Sequence, residues 1–151
     1  MAKKRVLITV KTYPTISTKY KELACTAGLL EDGAWIRLYP IPFRLLKDKN
    51  KYAKYEWIEA DIERNKLDPR PESFKVNNTE EIRPLKKIGP EREWEERRRL
   101  VLDKGKVYTN LTELIDGAHN NSISLATFKP TRILDFQSEE TEAEWPAHKI
   151  E

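Results

Sequence analysis

Residues 20–46, with the sequence YKELACTAGLLEDGAWIRLYPIPFRLL, constrain the fold more than any other part of this chain. Two strand-like segments in this stretch are joined by Glu31-Asp32-Gly33, whose composition is typical of a tight turn. The second segment alternates with period two, which predicts a strand with two unlike faces. Its apolar face has Ala34, Ile36 and Leu38, and its opposite face has Trp35, Arg37 and Tyr39.

The first of the two segments determines what lies beside Trp35, Arg37 and Tyr39. Read as a regular strand, its buried face is expected to contain Leu23, Cys25, Ala27 and Leu29, and its outer face Ala24, Thr26 and Gly28. Two aromatic rings and an arginine above small residues form a surface that is suited to stacking unpaired bases. The alternative is a purely structural role, in which the row covers a second small cluster and the arginine stem lies over the rings.

The distribution of charge supports a polyanionic partner. The net charge is only +3, but residues 1–54 contain 12 Lys and Arg against 4 Asp and Glu, whereas residues 101–151 contain 5 against 9. Positive charge interleaved with tyrosines is the pattern expected where phosphate contacts supply affinity and stacking adds to it. We expect the phosphate contacts to come from Lys11, Lys19, Lys21 and Arg44. The nearby run of lysines at 47–54 is more typical of a solvated loop.

Composition excludes several other classes of protein. The only cysteine is Cys25, so an internal disulfide and a cysteine-built zinc site are both excluded. No apolar stretch approaches the roughly 20 residues that a membrane span requires. We therefore expect a cytoplasmic protein with no membrane partner. Its length predicts one domain or two very small ones, and we place an OB-like β domain, single or composite, at residues 1–137. Residues 138–151 form an acidic tail or the start of a further C-terminal region.

The order of the remaining segments predicts a mainly β fold of the α+β class. Two helices are expected at 91–103 and 110–120, the second with a capping box that begins at Asn110. Further strands are expected at 5–11 with Val6, Ile8 and Val10 inward, and at 55–63, 73–76, 81–87, 122–128 and 132–136. This arrangement suggests a small OB-like barrel, or a strongly bent antiparallel sheet, with two peripheral helices. Such barrels present one curved face to single strands.

Residues able to support catalysis are few, so the sequence predicts a binding protein with no cofactor and no catalytic residue. The two histidines, His119 and His148, lie in polar segments, and no glycine-rich phosphate loop is present. Two alternatives stay open. Glu59, Asp61 and Glu63 share one strand face and could hold Mg²⁺ in a metal-dependent nuclease. The face with Trp35 and Tyr39, together with the segment Pro40–Phe43, could instead dock a protein partner.

Four stretches of the chain resemble a family of uncharacterised bacterial proteins that has been described as containing a dual OB-type domain. They are KTYPT, YKELACTAG, DGAWIRLYPIPFR and FKPTRILDF. The resemblance implies an OB-like module that binds single-stranded DNA or RNA in a bacterial genome-defence or repair setting. It names no catalytic residue. Members of that family are longer, so the resemblance also implies that this chain is a fragment of a larger protein.

Overall fold

Alternation of apolar and polar residues produces most of the strands in the computed structural model, which describes residues 3–12, 15–17 and 21–140. For residues 15–17, 21 and 22 the description covers the backbone alone. The strands are β1 (Lys3–Lys11), β2 (Thr15–Ser17), β3 (Lys21–Leu30), β4 (Trp35–Ile41), β5 (Glu56–Arg64), β6 (Ser73–Val76), β7 (Arg83–Lys87), β8 (Val107–Tyr108) and β9 (Thr127–Phe128). The helices are α1 (Glu91–Arg98) and α2 (Leu111–His119).

Five of these strands close into a barrel. The order around it is β1-β3-β4-β6-β5, and β5 pairs back with β1 from Lys3 opposite Asp61 to Ile8 opposite Glu56. Neighbouring barrel strands are antiparallel except β4 and β6, which run parallel. Taken in chain order, the five strands are therefore arranged 1-2-3-5-4-1. The expectation of a mainly β, small OB-like barrel with two short peripheral helices is confirmed.

The interior of the barrel is filled by the alternating aliphatic residues that the sequence predicted. Ile8, Ile36, Leu38 and Ile58 have no exposed surface. Burying one such side chain contributes about 1.5 to 3 kcal/mol, so these positions provide much of the stability. One polar pair also lies inside, because the Tyr52 hydroxyl group is 3.0 Å from Thr26 Oγ1.

The two faces of β3 are the reverse of the expectation. Thr26 lies opposite Leu38, and Gly28 lies opposite Ile36, so these small residues point into the barrel. Ala27 and Leu29 lie opposite Arg37 and Trp35 on the outer side of the sheet, where other parts of the chain cover them, so that each is only 2% exposed. The interior of a five-stranded barrel is narrow, and Tyr52 already occupies space beside Thr26, so small side chains are accommodated there. The irregularity in register between Ala24 and Thr26 places its extra residue on β4, because Leu38 and Ile41 are three positions apart, so β3 itself alternates regularly.

A second cluster lies outside the barrel. Leu7 is fully buried there with Ile88 and Leu100, and Tyr55 and Trp57 pack against them. A register shift in β1 after Ile8 also turns Val10 outward, so that it is 43% exposed and not inward as expected.

The predicted helix at 91–103 is present only in part. Arg92, Glu93 and Trp94 have left-handed φ values of 49°, 53° and 68°, and residues Arg99–Asp103 form a π turn. We call residues 91–103 the strap, because Leu100 of this segment covers Leu7 on the outside of the barrel.

The C-terminal third differs most from the sequence prediction. Helix α2 forms as expected, and Asn110 Oδ1 accepts a hydrogen bond from the Thr112 N–H group. In a capping box, Glu113 would also accept a hydrogen bond from the Asn110 N–H group. Its carboxylate instead pairs with Lys106 at 2.8 Å. The expected strand at 122–128 is reduced to β9, which pairs in parallel with β8. The expected strand at 132–136 is wrong: Ile133, Leu134 and Phe136 are 78 to 87% exposed, so no sheet covers them.

Residues 138–140 of the predicted acidic tail are exposed, and 141–151 lie outside the described residues. Among the described residues, no helix is both long and apolar enough to span a membrane.

Candidate nucleic-acid interface

The predicted row of side chains lies on the outside of the barrel, and each of its members is half-buried. Ile36 and Leu38 point inward, so Trp35, Arg37 and Tyr39 point outward beside Ala27 and Leu29 of β3. We call these five outward residues, Ala27, Leu29, Trp35, Arg37 and Tyr39, the hairpin face. It has Trp35 at one end and Tyr39 at the other, and these two ends have different surroundings.

The Trp35 end is in contact with the C-terminal part of the chain. Trp35 Nε1 donates a hydrogen bond to Thr127 Oγ1 at 3.2 Å. Close by, the Glu72 carboxylate accepts from the Ser124 N–H group at 3.1 and 3.2 Å and also from the Ser124 hydroxyl group. The indole therefore already has a partner within the protein, in keeping with the structural alternative for this residue.

Arg37 lies at the centre of the face. Its backbone N–H group donates to the Glu72 carbonyl oxygen at 2.8 Å and so joins β4 to the segment before β6. Its side-chain Nε is shielded from solvent and has no hydrogen-bond partner among the residues that the structure describes. A shielded donor without a partner costs free energy, so a ligand oxygen that reached this group would relieve that cost.

The Tyr39 end lies next to the β5–β6 loop, residues 65–72, which contains Arg70. The pKa of the Arg70 guanidinium is raised above its ordinary value, chiefly by hydrogen bonding to Asp68 and to a smaller extent by nearby Cys25 and Tyr39. Asn65 Nδ2 also donates to the Tyr39 carbonyl oxygen at 3.4 Å. This end therefore combines an aromatic ring with a guanidinium, the two groups that stack bases and bind phosphate.

The β5–β6 loop is held in place by a set of charge-assisted hydrogen bonds. Arg70 donates through Nε and Nη2 to the two oxygens of Asp68, at 2.8 and 2.7 Å, and the Ser73 hydroxyl group donates to the same carboxylate at 2.7 Å. These bonds keep the pKa of Asp68 well below its ordinary range, the bond from Arg70 contributing most. Arg64 Nη1 donates to the carbonyl oxygens of Arg70, Pro71 and Ser73. Arg70 is thus positioned before any ligand arrives.

Replacing Asp68 with Asn should loosen this loop. The variant keeps the size of the side chain but loses the charge that holds Arg70, so we expect the free energy of unfolding to fall by about 1 to 2 kcal/mol. Denaturant titration measures the change. Asp48→Asn is the matched control, because Asp48 pairs with Lys51 at 2.7 Å on an open surface and should contribute nothing measurable. Equal stability of wild type and the Asp68 variant would contradict the role given to this carboxylate.

The four basic residues predicted to contact phosphate have different surroundings. Lys11 Nζ donates to the Tyr52 carbonyl oxygen at 3.1 Å and lies 3.8 Å from the centre of the Phe43 ring. Burial first, and then Lys54, lower the pKa of Lys11, whereas Glu56 raises it. Arg44 is exposed in the turn Phe43–Leu45. Lys19 and the side chain of Lys21 lie outside the described residues.

Arg70 is a candidate binding residue that sequence reasoning did not identify. The sequence Asp68-Pro69-Arg70-Pro71 predicts a turn and by itself indicates no binding role for Arg70. The position of Arg70 follows from the parallel pairing of β4 with β6, which brings the β5–β6 loop to the hairpin face. The available signal was the spacing of Asp68 and Arg70, which allows the carboxylate to orient the guanidinium.

Comparison with known proteins gives one family. Residues 2–103 match the family described as "Domain of unknown function (DUF8758)". The chain belongs to this family. The part shared with DUF8758 comprises the barrel, β7 and the strap, and it ends before β8. No curated protein and no solved structure matches the chain.

The acidic residues suggested for a nuclease have basic or amide partners in this DUF8758 chain. Glu59 lies 2.8 Å from Arg83 and 4.0 Å from Arg5, and Asp61 accepts from Asn77 Nδ2 at 3.2 Å. Glu63 pairs with Lys75 at 2.8 Å. Across the part of the chain that the structure describes, no group of three or more His, Cys, Asp or Glu side chains is arranged to hold a metal ion.

The segment Pro40–Phe43, suggested as a docking site for a protein partner, contributes its apolar side chains to the barrel instead. Ile41 is fully buried, and Phe43 packs edge-on against Tyr52 with ring centres 5.1 Å apart. The protein-interaction alternative therefore depends on the hairpin face alone.

Proposed function

We propose that this chain is a non-catalytic module that binds single-stranded DNA or RNA through the Tyr39 end of the hairpin face. The observation that carries the proposal is the position of Arg70, which two hydrogen bonds hold to Asp68 within the loop whose Asn65 is bonded to the Tyr39 carbonyl oxygen. Arg37 adds a second guanidinium to the same surface. A surface with an aromatic ring and two guanidinium groups can provide both stacking and phosphate contact.

The strand order supports assignment of the barrel to the OB fold. In OB folds, the surface of the second and third strands, together with the first inter-strand loop and the loop between strands four and five, binds oligonucleotides and oligosaccharides. In this chain the second and third barrel strands are β3 and β4, and the loop between strands four and five carries Arg70. The proposed site therefore corresponds to the ligand surface of that fold.

Binding through these groups would depend little on base sequence. Every base has a face that can stack on Tyr39, and guanidinium groups contact phosphates that are common to all sequences. The sequence resemblance to a dual OB-type family agrees with this activity. A bacterial genome-defence or repair setting and a cytoplasmic location stay predictions of the sequence.

The test is titration of labelled oligo(dT) and oligo(U) with the full chain at two salt concentrations. We expect weak binding and, for Tyr39→Ala, a loss of at least about fivefold at nearly constant salt dependence, because one stacked base contributes about 1 to 3 kcal/mol. Arg70→Ala should instead flatten the log–log salt dependence by about 0.7, the value for one phosphate contact on a single strand.

Trp94→Ala is the matched control, since Trp94 is 50% exposed and also lies near a guanidinium, that of Arg97, but belongs to the strap and not to the hairpin face. Its affinity should equal that of wild type. Absence of oligonucleotide binding by wild type at low salt would refute the proposal. Normal binding by a folded Tyr39→Ala variant would show that the hairpin face does not bind the oligonucleotide. The face would then bind a protein partner or have a structural role.

A further inference from the structure

We propose that residues 104–128, the C-terminal cover, are an autoinhibitory cover of the Trp35 end of the hairpin face, which a bound strand displaces. This inference rests on the proposed function, because it states that the cover and a bound nucleic-acid strand compete for the hairpin face. Its consequence is that the resting protein offers a short site around Tyr39 and gains a second stacking position, Trp35, when the cover leaves.

The cover is attached to the barrel at several separate points along one side. Thr127 accepts the hydrogen bond from the Trp35 indole, Ser124 donates to Glu72, and Asn121 Nδ2 donates to the Pro69 carbonyl oxygen at 3.2 Å. At the start of the cover, Lys104 Nζ donates to the Glu31 carbonyl oxygen at 3.3 Å. These contacts extend from the turn that joins β3 to β4 to the β5–β6 loop.

The cover is anchored mainly by polar contacts and contributes little to the apolar core. Within residues 104–128, only Gly117 is buried, whereas the barrel buries a continuous aliphatic cluster. A segment with few buried apolar contacts opens locally at a small free-energy cost compared with global unfolding. The cover can therefore leave while the barrel stays folded.

The boundary of the family match coincides with the boundary of the cover. The DUF8758 match ends at residue 103, after the barrel and the strap, and the cover begins at residue 104. The two parts also fold differently, since β8 and β9 pair only with each other and not with the barrel. The cover is thus a separate layer over a barrel that is complete without it.

Closure by the cover lowers the apparent affinity of the whole face. When only a fraction of molecules is open, the apparent dissociation constant rises by the inverse of that fraction. The double variant Ser124→Ala with Thr127→Val removes the side-chain hydrogen bonds at Glu72 and Trp35 and should shift the equilibrium toward the open form.

The experiment compares this double variant with wild type in the full chain, using oligo(dT) of two and of twelve nucleotides. We expect at least about fivefold tighter binding of the twelve-nucleotide strand, because losing hydrogen bonds of ordinary strength shifts an equilibrium by that factor or more. The dinucleotide should bind equally to both proteins, since the two substitutions change contacts to Glu72 and Trp35, whereas the Arg70 side chain is held by Asp68 in each. Adding Trp35→Ala to the double variant should remove the gain.

Ser138→Ala with Thr131→Val is the matched control, because both residues are exposed and lie outside the cover. It should bind as wild type does. Equal affinity of the double variant and wild type for the twelve-nucleotide strand would contradict the autoinhibitory role of the cover. The same conclusion would follow if the double variant bound the dinucleotide more tightly by the same factor as the long strand. If neither wild type nor any variant binds either oligonucleotide, the proposed function is wrong. The proposed competition between the cover and a bound strand is then wrong as well.

Hydrogen exchange of the peptide 121–128 provides a measure that does not depend on the proposed function. We expect faster exchange in the double variant than in wild type, and also in wild type when the long strand is added. Unchanged exchange in the double variant would show that these side chains do not hold the cover closed.

Discussion

Replacing Gly28 with Ala is expected to lower the free energy of unfolding by about 3 kcal/mol or more, the upper end of the range for overpacking a core. A Cβ atom at this position would lie 2.0 Å from the Leu7 carbonyl oxygen and 2.8 Å from the Leu7 carbonyl carbon. Both are backbone atoms of β1, which is paired on both sides, with β3 and with β5. Neither strand can move away without breaking one of the two ladders.

Denaturant unfolding of the purified variant measures this loss. Gly89→Ala is the matched control, because the three atoms nearest to a Cβ atom there belong to the carboxylate of Glu91, an exposed side chain that can turn aside. We expect the control to remain close to wild type. A Gly28→Ala variant as stable as the control would show that β1 and β3 are less tightly apposed than the structure has them.

A second large effect is expected at alkaline pH. Burial is the main cause that raises the pKa of Tyr52 to about 12, and the bond with Thr26 acts in the opposite direction. The unfolded chain ionises this phenol near its ordinary value of about 10. The contribution of Tyr52 to the free energy of unfolding is therefore fully present below pH 10. It is lost as the pH rises through 12. The free energy of unfolding falls by about 3 kcal/mol over this range, because the pKa of Tyr52 differs by about 2 between the folded and unfolded chain.

The measurement is the free energy of unfolding between pH 9 and pH 12 for wild type and for Tyr52→Phe. The phenylalanine variant lacks the ionisable group, so its stability should depend less steeply on pH across this window. Tyr108→Phe is the control, because Tyr108 lies outside the barrel and should leave the wild-type slope unchanged. Identical slopes for wild type and Tyr52→Phe would contradict the assignment to Tyr52.

Much of the fold was predictable because alternation is a local property of the sequence. The inward positions of Ile36, Leu38 and Ile58 follow from period two alone. The orientation of β3 was not predictable in the same way, because alternation shows which of its residues share a face but not which face points inward. That choice depends on packing: the narrow interior, which already holds Tyr52, takes Thr26, whereas Leu29 pairs with Leu7 in the outer layer.

The part of the candidate site that lies on β4 was predictable from the sequence. The part contributed by a distant loop was not. Alternation placed Arg37 and Tyr39 on the outer surface of β4, and the structure has them there. Arg70 reaches the same surface only through the pairing of distant segments, which a single sequence does not reveal. Lys11 illustrates the converse case: its charge predicted a phosphate contact, but its side chain contacts the Phe43 ring and the Tyr52 carbonyl oxygen.

The pairing of β1 with β5 has a consequence for synthesis of the chain on the ribosome. Because β1 is made first and its second partner much later, one edge of this strand stays unpaired while residues 12–55 emerge. The barrel closes only after Ser73–Val76 has joined β4 to β5. Contacts of such long sequence separation form slowly, and an unpaired apolar edge invites association with other chains. The nascent chain should therefore be most prone to aggregation, and most dependent on chaperones, before residue 76 leaves the exit tunnel.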